Sequence, residues 1–392
     1  MMAFQQGVKK FPLIWLWLIT VFLAGGVIIN CVQFLLLPLW LIKKDLFRWL
    51  NLNLVYLHWC QLTFLADRWS GMDIKLYGTK EDFDKLGKES AICFANHRSD
   101  VDWLIGYTLA ERVGVLATCK CYMKGYLKFL PIMGFSWWCT EFVFLQRNWQ
   151  KDRRLLEQSL NTLQDFPFPF WMAIFAEGTR LTEAKVQASV EYARANGLPE
   201  LKHHLLPRSK GFSVTVQYLK DKVPAVYDLE VAFPKGKEPS LISMLTGEAE
   251  EVHLWVRRIP IQDIPCGDIE ETSKWCRKAF QKKDEGMAYF VEHGKFPAER
   301  IDCAKGKRSL VVTILWNILL GVPLLWYILS VLLSGSITSL LIAAIIALVG
   351  FIVIKVLLHF SDSKKGSSFG LKPSNGTRSS TPPNGDTAKK LA

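Results

Sequence analysis

The chain lacks the residue spacings that mark several common kinds of functional site. Its nine cysteines are scattered, and the one close pair, Cys119 and Cys121, has a single intervening residue, which fits neither a zinc site nor a redox pair. There is no G-x-S-x-G sequence, so the signature of a serine hydrolase is missing. We therefore expect a reducing compartment, no disulfide framework, no metal and no resident cofactor.

Acidic residues are the scarcer charged class, with 36 Asp and Glu against 48 Lys and Arg, which gives a formal net charge of +12. Half of the residues are hydrophobic, including 24 Phe and 15 Trp, which is heavy for a soluble protein. The basic excess accompanies long apolar runs, and no basic segment is interleaved with aromatics on a polar background. We therefore expect anionic lipid head groups or phosphorylated substrates as partners, and no nucleic acid.

A long apolar run near the N-terminus predicts membrane attachment. Residues 11–42 exceed the roughly 20 residues that one span needs, so the run either crosses the bilayer or forms a bent, embedded hairpin. It is longer than the apolar region of a signal peptide, and no A-x-A-like cleavage site follows it. Residues 46–69 mix aromatics and leucines with polar residues, which is typical of a helix in the membrane interface. We assign residues 1–72 to this anchor.

Two further apolar runs, 309–333 and 337–354, are joined by an uncharged turn, and basic residues lie outside both. The positive-inside rule predicts a transmembrane hairpin within 306–360 whose ends face the cytosol. Residues 361–392 are rich in Ser, Gly, Pro, Thr and Lys, and we expect a disordered cytosolic tail. The lysines at 389 and 390 resemble the dilysine retrieval signal of endoplasmic reticulum membrane proteins. We expect a multi-pass protein of that membrane.

Residues 73–305 have the composition of a globular domain. Short apolar runs at Ala91–Ala95, Trp171–Phe175 and 225–231 alternate with amphipathic helical stretches and charged loops. Ala91–Ala95 has no helical spacing, which fits a buried strand. The segment therefore predicts an α/β domain, and the topology above places it on the cytosolic side.

Polar residues follow the first of these predicted strands directly. The segment 96–102 reads Asn-His-Arg-Ser-Asp-Val-Asp, and open α/β sheets place ligands at the carboxyl ends of their strands. His97 and Asp102 are close enough for a turn or a helix start to bring imidazole and carboxylate together. That pairing suits a general base near neutral pH. A lone loop histidine is more often structural, so this segment alone leaves both interpretations open.

Three other clusters contain candidate binding groups. Lys124 precedes an aromatic-rich stretch that ends in Arg147. Residues 175–180, Phe-Ala-Glu-Gly-Thr-Arg, predict a tight turn whose N–H groups, hydroxyl and guanidinium converge on an oxyanion or phosphate. Arg208 and Lys210 precede another apolar run. The cations outside the turn also have structural interpretations. They could be solvated charges near the membrane, in the case of Lys124 and Arg147, or residues that close a helix or turn, in the case of Arg208 and Lys210.

Together these motifs resemble those of the glycerolipid acyltransferase superfamily, and more closely its eukaryotic lysophosphatidic acid acyltransferases. The resemblance covers roughly residues 20–360, and its motifs occur in the order found in the family. One position departs from the family pattern, because Ala176 stands where many members have proline, and this removes no functional group. The four matching motifs are Asn96, His97 and Asp102 of the His-x4-Asp motif, Phe-Leu-Gln-Arg at 144–147, Phe-Ala-Glu-Gly-Thr-Arg at 175–180 and Val-Pro-Ala-Val at 223–226.

The resemblance implies a central mixed sheet flanked by helices and a reaction with acyl-CoA as co-substrate. His97, oriented by Asp102, is then the base that deprotonates a glycerol hydroxyl. Family members place the third motif at the acceptor's phosphate, which makes Arg180 the best phosphate ligand and Glu177 an orienting residue. The predicted substrate-binding residues are Asn96, Lys124, Arg147, Glu177, Gly178, Thr179, Arg180, Arg208 and Lys210.

The resulting prediction is an integral membrane enzyme that makes phosphatidic acid from lysophosphatidic acid and acyl-CoA. Two alternatives stay open. The acceptor could be another lysophospholipid, because all share a phosphate. The chain could instead be a non-enzymatic lipid-binding or scaffolding protein, although intact His97, Asp102 and 177–180 argue against this.

Overall fold

The computed structural model of the chain describes residues 9–146, 148–248 and 251–361. Its strands are β1 (Asp73–Tyr77), β2 (Ala91–Ala95), β3 (Cys119–Lys124), β4 (Val143–Leu145), β5 (Trp171–Phe175), β6 (Ala225–Ala232), β7 (Glu251–Pro260) and β8 (Arg300–Ile301). They form one sheet in the order β4-β3-β5-β2-β6-β7-β1-β8.

Helices surround this sheet and extend from both of its sequence flanks. They are α1 (Pro12–Ile42), α2 (Lys44–Phe64), α3 (Lys80–Lys85), α4 (Asp102–Arg112), α5 (Met133–Cys139), α6 (Trp149–Gln164), α7 (Glu183–Ala195), α8 (Ser209–Leu219), α9 (Leu241–Leu245), α10 (Ile269–His293), α11 (Arg308–Trp316), α12 (Val322–Ser334) and α13 (Ile337–Ser361).

The sheet is mixed, as the family resemblance implies. Five strands, in the spatial order β4-β3-β5-β2-β6, are parallel to one another. In contrast, β7 runs antiparallel to β6, and β8 runs antiparallel to β1. Because parallel strands end at the same edge, the segments that follow β2, β3, β4 and β5 lie along one edge of the sheet. This edge contains the candidate site.

Alternating side chains of β2 enter two different cores. Ile92 and Phe94 pack in a cluster with residues of α6, α8 and α10, whereas Ala91, Cys93 and Ala95 pack in a cluster with residues of α2 and α4. Successive side chains of a strand point to opposite faces of a sheet, so a strand covered on both faces is apolar throughout. This explains why the segment lacks polar residues until position 96.

The N-terminal apolar run forms one continuous helix, α1, with Pro38 inside it. The predicted hairpin does not lie within 11–42, because the chain reverses at Lys43 and α2 packs back along α1. The antiparallel pairing is fixed by a hydrogen bond from Gln33 Nε2 to Asn51 Oδ1 (2.7 Å) and by stacking of Phe22 on His58.

Two polar residues of α2 contact the globular domain. Arg48 is buried and binds Glu141 (2.8 Å) and Asp165 (3.0 Å) of the globular domain. Asn51 is also buried and donates to the carbonyl of Cys139. These two polar residues of α2 therefore join the anchor to the domain, and the predicted position of the helix at the membrane interface stays a prediction.

Two helical segments, Leu13–Ile42 and Arg308–Ser334, are long and apolar enough to cross a membrane by length and composition. The second contains a π-helical turn at Asn317–Gly321, and the residue that follows its end, Gly335, has a φ of 62° in the left-handed region. The apolar part of α13, Ile337–Ile352, is shorter. The predicted tail beyond residue 361, with Lys389 and Lys390, lies outside the described residues.

Candidate active site

Asp102 is the first residue of α4, and its carboxylate orients His97. Asp102 Oδ2 lies 2.8 Å from His97 Nδ1 and also accepts the backbone N–H groups of Arg98 (2.6 Å) and Ser99 (2.9 Å). A carboxylate that already accepts two N–H groups at a helix N-terminus presents an acceptor to the imidazole. His97 Nδ1 therefore carries the proton, and Nε2 is left as the proton acceptor.

The two members of this pair differ in exposure. The Asp102 side chain is fully buried, whereas the His97 side chain is 26% exposed and packs against the ring of Phe175, with centroids 4.7 Å apart. Asp100, the other aspartate of the segment, accepts from Ser99 Oγ, and burial raises the pKa of its carboxyl. The structure therefore presents a partly exposed imidazole whose orientation is set by a buried carboxylate.

Glu177 follows β5, and its carboxylate connects its own loop to the segments that contain His97 and Leu205. Its Oε1 accepts the backbone N–H of His97 (3.0 Å), and its Oε2 accepts that of Leu205 (3.2 Å). The side chain is buried, and burial raises the pKa of the Glu177 carboxyl to about 7. These contacts join the loop after β5 to the segments that contain His97 and Leu205.

The turn after Glu177 requires glycine. Gly178 has a φ of 69°, and a Cβ at this position would lie 2.7 Å from Arg208 Cδ. The Arg208 backbone N–H donates to the carbonyl of Ala176 (2.7 Å), so the second predicted cation cluster lies against this loop. Arg180 is half-buried one residue before Leu181, whose N–H donates to the carbonyl of His97 (2.8 Å). The predicted phosphate loop and the predicted base are therefore neighbours.

Asn96 links two strands. It is fully buried, its Nδ2 donates to the carbonyl of Val231 (2.9 Å), and its Oδ1 accepts the Val231 N–H (2.8 Å). Both polar atoms of the side chain are thus engaged by the backbone of β6. The structure thus shows Asn96 joining the segment after β2 to β6, and its predicted contact with substrate stays a prediction.

The remaining predicted residues do not all lie at the sheet edge that contains His97. Lys124 ends β3, so it lies on the same sheet edge as His97, and its Nζ is 5.6 Å from the centre of the Tyr126 ring. Lys210 is half-buried in the first turn of α8. Arg147 lies outside the described residues. The fourth motif, 223–226, precedes and begins β6, which places it at the opposite edge of the sheet.

Lys185, which the sequence prediction missed, contacts the predicted phosphate loop. This buried lysine of α7 contacts Thr179 Oγ1 (2.8 Å) and the carbonyl of Arg180 (3.1 Å). A signal was available in the sequence, because a cation is unfavourable in the first turn of a helix and needs a local reason to be there.

Among the described residues, no group of three or more His, Cys, Asp or Glu is arranged to hold a metal ion.

Comparison with known proteins assigns the chain to a family. Residues 76–227 match the acyltransferase family and 243–316 match the acyltransferase C-terminus. The delta 1-acyl-sn-glycerol-3-phosphate acyltransferase of Homo sapiens is 39% identical over 350 residues, covering 89% of this chain and 92% of the relative. The human gamma protein is 39% identical over 352 residues, covering 89% and 93%.

The chain belongs to the 1-acyl-sn-glycerol-3-phosphate acyltransferase family. The resemblance inferred from the four motifs is thereby confirmed, and the protein is an O-acyltransferase. The crystal structure of the 1-acyl-sn-glycerophosphate acyltransferase PlsC from Thermotoga maritima aligns with a TM-score of 0.39 at 16% identity, over 67% of this chain and 96% of that one.

Proposed function

We propose that this acyltransferase moves a fatty acyl group from acyl-CoA to the free glycerol hydroxyl of lysophosphatidic acid, which produces phosphatidic acid. The observation that carries the proposal is the 2.8 Å contact between His97 Nδ1 and Asp102 Oδ2, one loop away from 177–180. The human relatives are named for 1-acyl-sn-glycerol-3-phosphate, which supports the choice of acceptor.

His97 acts as the general base. Its Nε2 takes the proton of the glycerol hydroxyl as the hydroxyl oxygen attacks the thioester carbonyl carbon. The tetrahedral intermediate then collapses, the C–S bond breaks, and the proton passes from His97 to the coenzyme A thiolate. Such a base contributes about 100- to 10,000-fold in rate. Asp102 holds the imidazole in the tautomer that carries its proton on Nδ1, so that Nε2 is the acceptor, and stabilises the imidazolium that forms.

The acceptor's phosphate binds at the loop beside the base. Arg180 supplies a planar guanidinium that suits bidentate phosphate binding, and the Arg208 side chain lies against Gly178 of the same loop. A phosphate held here places the glycerol hydroxyl near His97, because the Leu181 N–H binds the His97 carbonyl directly. Positioning of this kind supplies a large share of the rate in a bimolecular transfer.

The enzyme works at the cytosolic face of the endoplasmic reticulum membrane. The apolar helices α1 and α11–α12 support membrane attachment, and the basic residues that flank the C-terminal runs support a cytosolic domain. Acyl-CoA is a water-soluble donor, so a cytosolic site gives it direct access. A lysophospholipid enters from the bilayer in which the helices are embedded.

A transfer assay across acceptors tests the proposal. Purified protein is supplied with labelled acyl-CoA and, in separate reactions, lysophosphatidic acid, lysophosphatidylinositol, lysophosphatidylcholine or monoacylglycerol. We expect the highest kcat/KM with lysophosphatidic acid and labelled phosphatidic acid as the product. A higher kcat/KM with a choline or inositol head group would reassign the acceptor, and no transfer to any acceptor would overturn the enzymatic proposal.

A further inference from the structure

Lys185 occupies an unusual place for a charged residue. It lies in the first turn of α7 with only 4% of its surface exposed. Side chains of a helix point toward its N-terminus, so a lysine here reaches back to the loop that precedes the helix. Burying an ammonium is costly unless its protons are bound by oxygens. Its position beneath the phosphate loop therefore suggests a specific task.

The contact between Lys185 and Thr179 determines how the hydroxyl is used. An ammonium can only donate hydrogen bonds, so Thr179 Oγ1 accepts from Lys185 Nζ at 2.8 Å. The hydroxyl proton must then point away from Lys185. A hydroxyl that accepts from a cation is also a stronger donor, because hydrogen bonds in a chain polarise one another.

The second contact of Lys185 fixes the backbone of the same loop. Its Nζ lies 3.1 Å from the carbonyl of Arg180, and the next residue, Leu181, donates its N–H to the carbonyl of His97 (2.8 Å). A single ammonium therefore orients the Thr179 hydroxyl and the Arg180 peptide, and its positive charge lies beneath both. Arg208 lies against Gly178 on the same loop.

We propose that Lys185 is a positioning residue for the phosphate of the acceptor, which orients the Thr179 hydroxyl as a donor to a phosphate oxygen and fixes the backbone that presents Arg180. The inference rests on the proposed function and deepens it. It assigns recognition of an anionic phosphomonoester to a buried residue that does not itself touch the substrate.

Kinetics of full-length variants test this role. We expect Lys185→Met to raise KM for lysophosphatidic acid roughly tenfold, the size of one charge-assisted hydrogen bond, and to leave KM for acyl-CoA within about twofold. Thr179→Val, which removes the hydroxyl and keeps the shape, should give a similar increase. Since Lys185 acts largely through that hydroxyl, Lys185→Met should raise KM for lysophosphatidic acid much less in the Thr179→Val background than in the wild-type protein.

Lys151→Met provides the matched control, because Lys151 is exposed on α6, and it should change neither KM. An unchanged KM for lysophosphatidic acid in Lys185→Met would overturn the proposal. Full additivity of Lys185→Met with Thr179→Val would also overturn the proposal. An equal rise in both KM values together with a lowered melting temperature would indicate a merely structural role and would overturn it as well.

A binding measurement separates this inference from the proposed function. If wild-type protein transfers no acyl group to lysophosphatidic acid, the proposed function fails, and binding of lysophosphatidic acid and of phosphate-free monoacylglycerol is compared instead. We expect Lys185→Met to weaken only the phosphate-bearing ligand. Equal weakening of both ligands, or of neither, would contradict the role of Lys185.

Discussion

The carboxylate of Glu177 accepts the backbone N–H of His97 at 3.0 Å, although the two residues are 80 positions apart. The second oxygen of Glu177 accepts the N–H of Leu205. One buried side chain therefore fixes the backbone at His97 and joins the segments that follow β2 and β5 to the loop before α8. Both oxygens of the only carboxylate in the third motif are therefore hydrogen-bonded to backbone N–H groups.

Replacing Glu177 with Gln should reduce acyl transfer. A carboxylate offers an acceptor oxygen to each of the two N–H groups, whereas an amide offers one oxygen and one NH2, so one N–H meets another donor. We expect kcat to fall by about tenfold or more, in keeping with one unsatisfied buried group. The measurement is steady-state kinetics, with Glu191→Gln on α7 as the exposed control. Unchanged kcat would show that the contact does not position His97.

Stability should depend on pH through the same carboxyl. Burial raises the pKa of Glu177 to about 7, above its ordinary value of 4.5, so the folded state holds this proton where the unfolded state has lost it. The stabilisation is fully present below pH 4.5 and is lost as the pH rises through 7. We expect the melting temperature of wild type relative to Glu177→Gln to fall between pH 5 and 8. A rising or constant difference would contradict the raised pKa.

Much of the fold could be predicted from local patterns. The strands Ala91–Ala95 and Trp171–Phe175 were predicted with correct ends because each is an uninterrupted apolar run followed by polar residues. The pairing of His97 with Asp102 was also predictable, since both partners lie within one turn and a helix start. Short-range geometry sufficed in these cases.

Contacts between distant segments were not predictable. The amide of Asn96 binds Val231, 135 residues away, and nothing local to Asn96 identifies that partner. The polar residues of α2 predict a helix at the membrane interface, and the sequence does not show that Arg48 forms salt bridges with Glu141 and Asp165 of the globular domain. A sequence pattern shows that a residue is polar, whereas the tertiary fold decides whether water, lipid or protein satisfies it.

Asn96→Ala should destabilise the domain. The substitution leaves the buried N–H and carbonyl of Val231 without their partner, which costs about 1–3 kcal/mol for each unsatisfied group. We expect a clear loss of melting temperature in detergent. Asn196→Ala is the matched control, because the Asn196 side chain is exposed, and it should change little. An unaltered melting temperature in Asn96→Ala would contradict the stabilising role of these two hydrogen bonds.

Breaking the buried pair between Arg48 and Glu141 should loosen the anchor from the domain. Arg48→Met leaves the Glu141 carboxylate buried without its main cation, a loss of about 3–5 kcal/mol. Adding Glu141→Gln removes that charge and should restore part of the stability. The test is thermal unfolding of both variants, with the exposed Arg153→Met as control. A double variant less stable than Arg48→Met would disprove the coupling.

The rate of acyl transfer from acyl-CoA to lysophosphatidic acid by His97→Ala tests the central claim most directly. The substitution removes the proton acceptor from a side chain that is 26% exposed, so the fold and the membrane attachment should persist. We predict that kcat falls by about 100- to 10,000-fold with a melting temperature close to that of wild type. A folded His97→Ala protein with wild-type kcat would contradict general-base catalysis by His97.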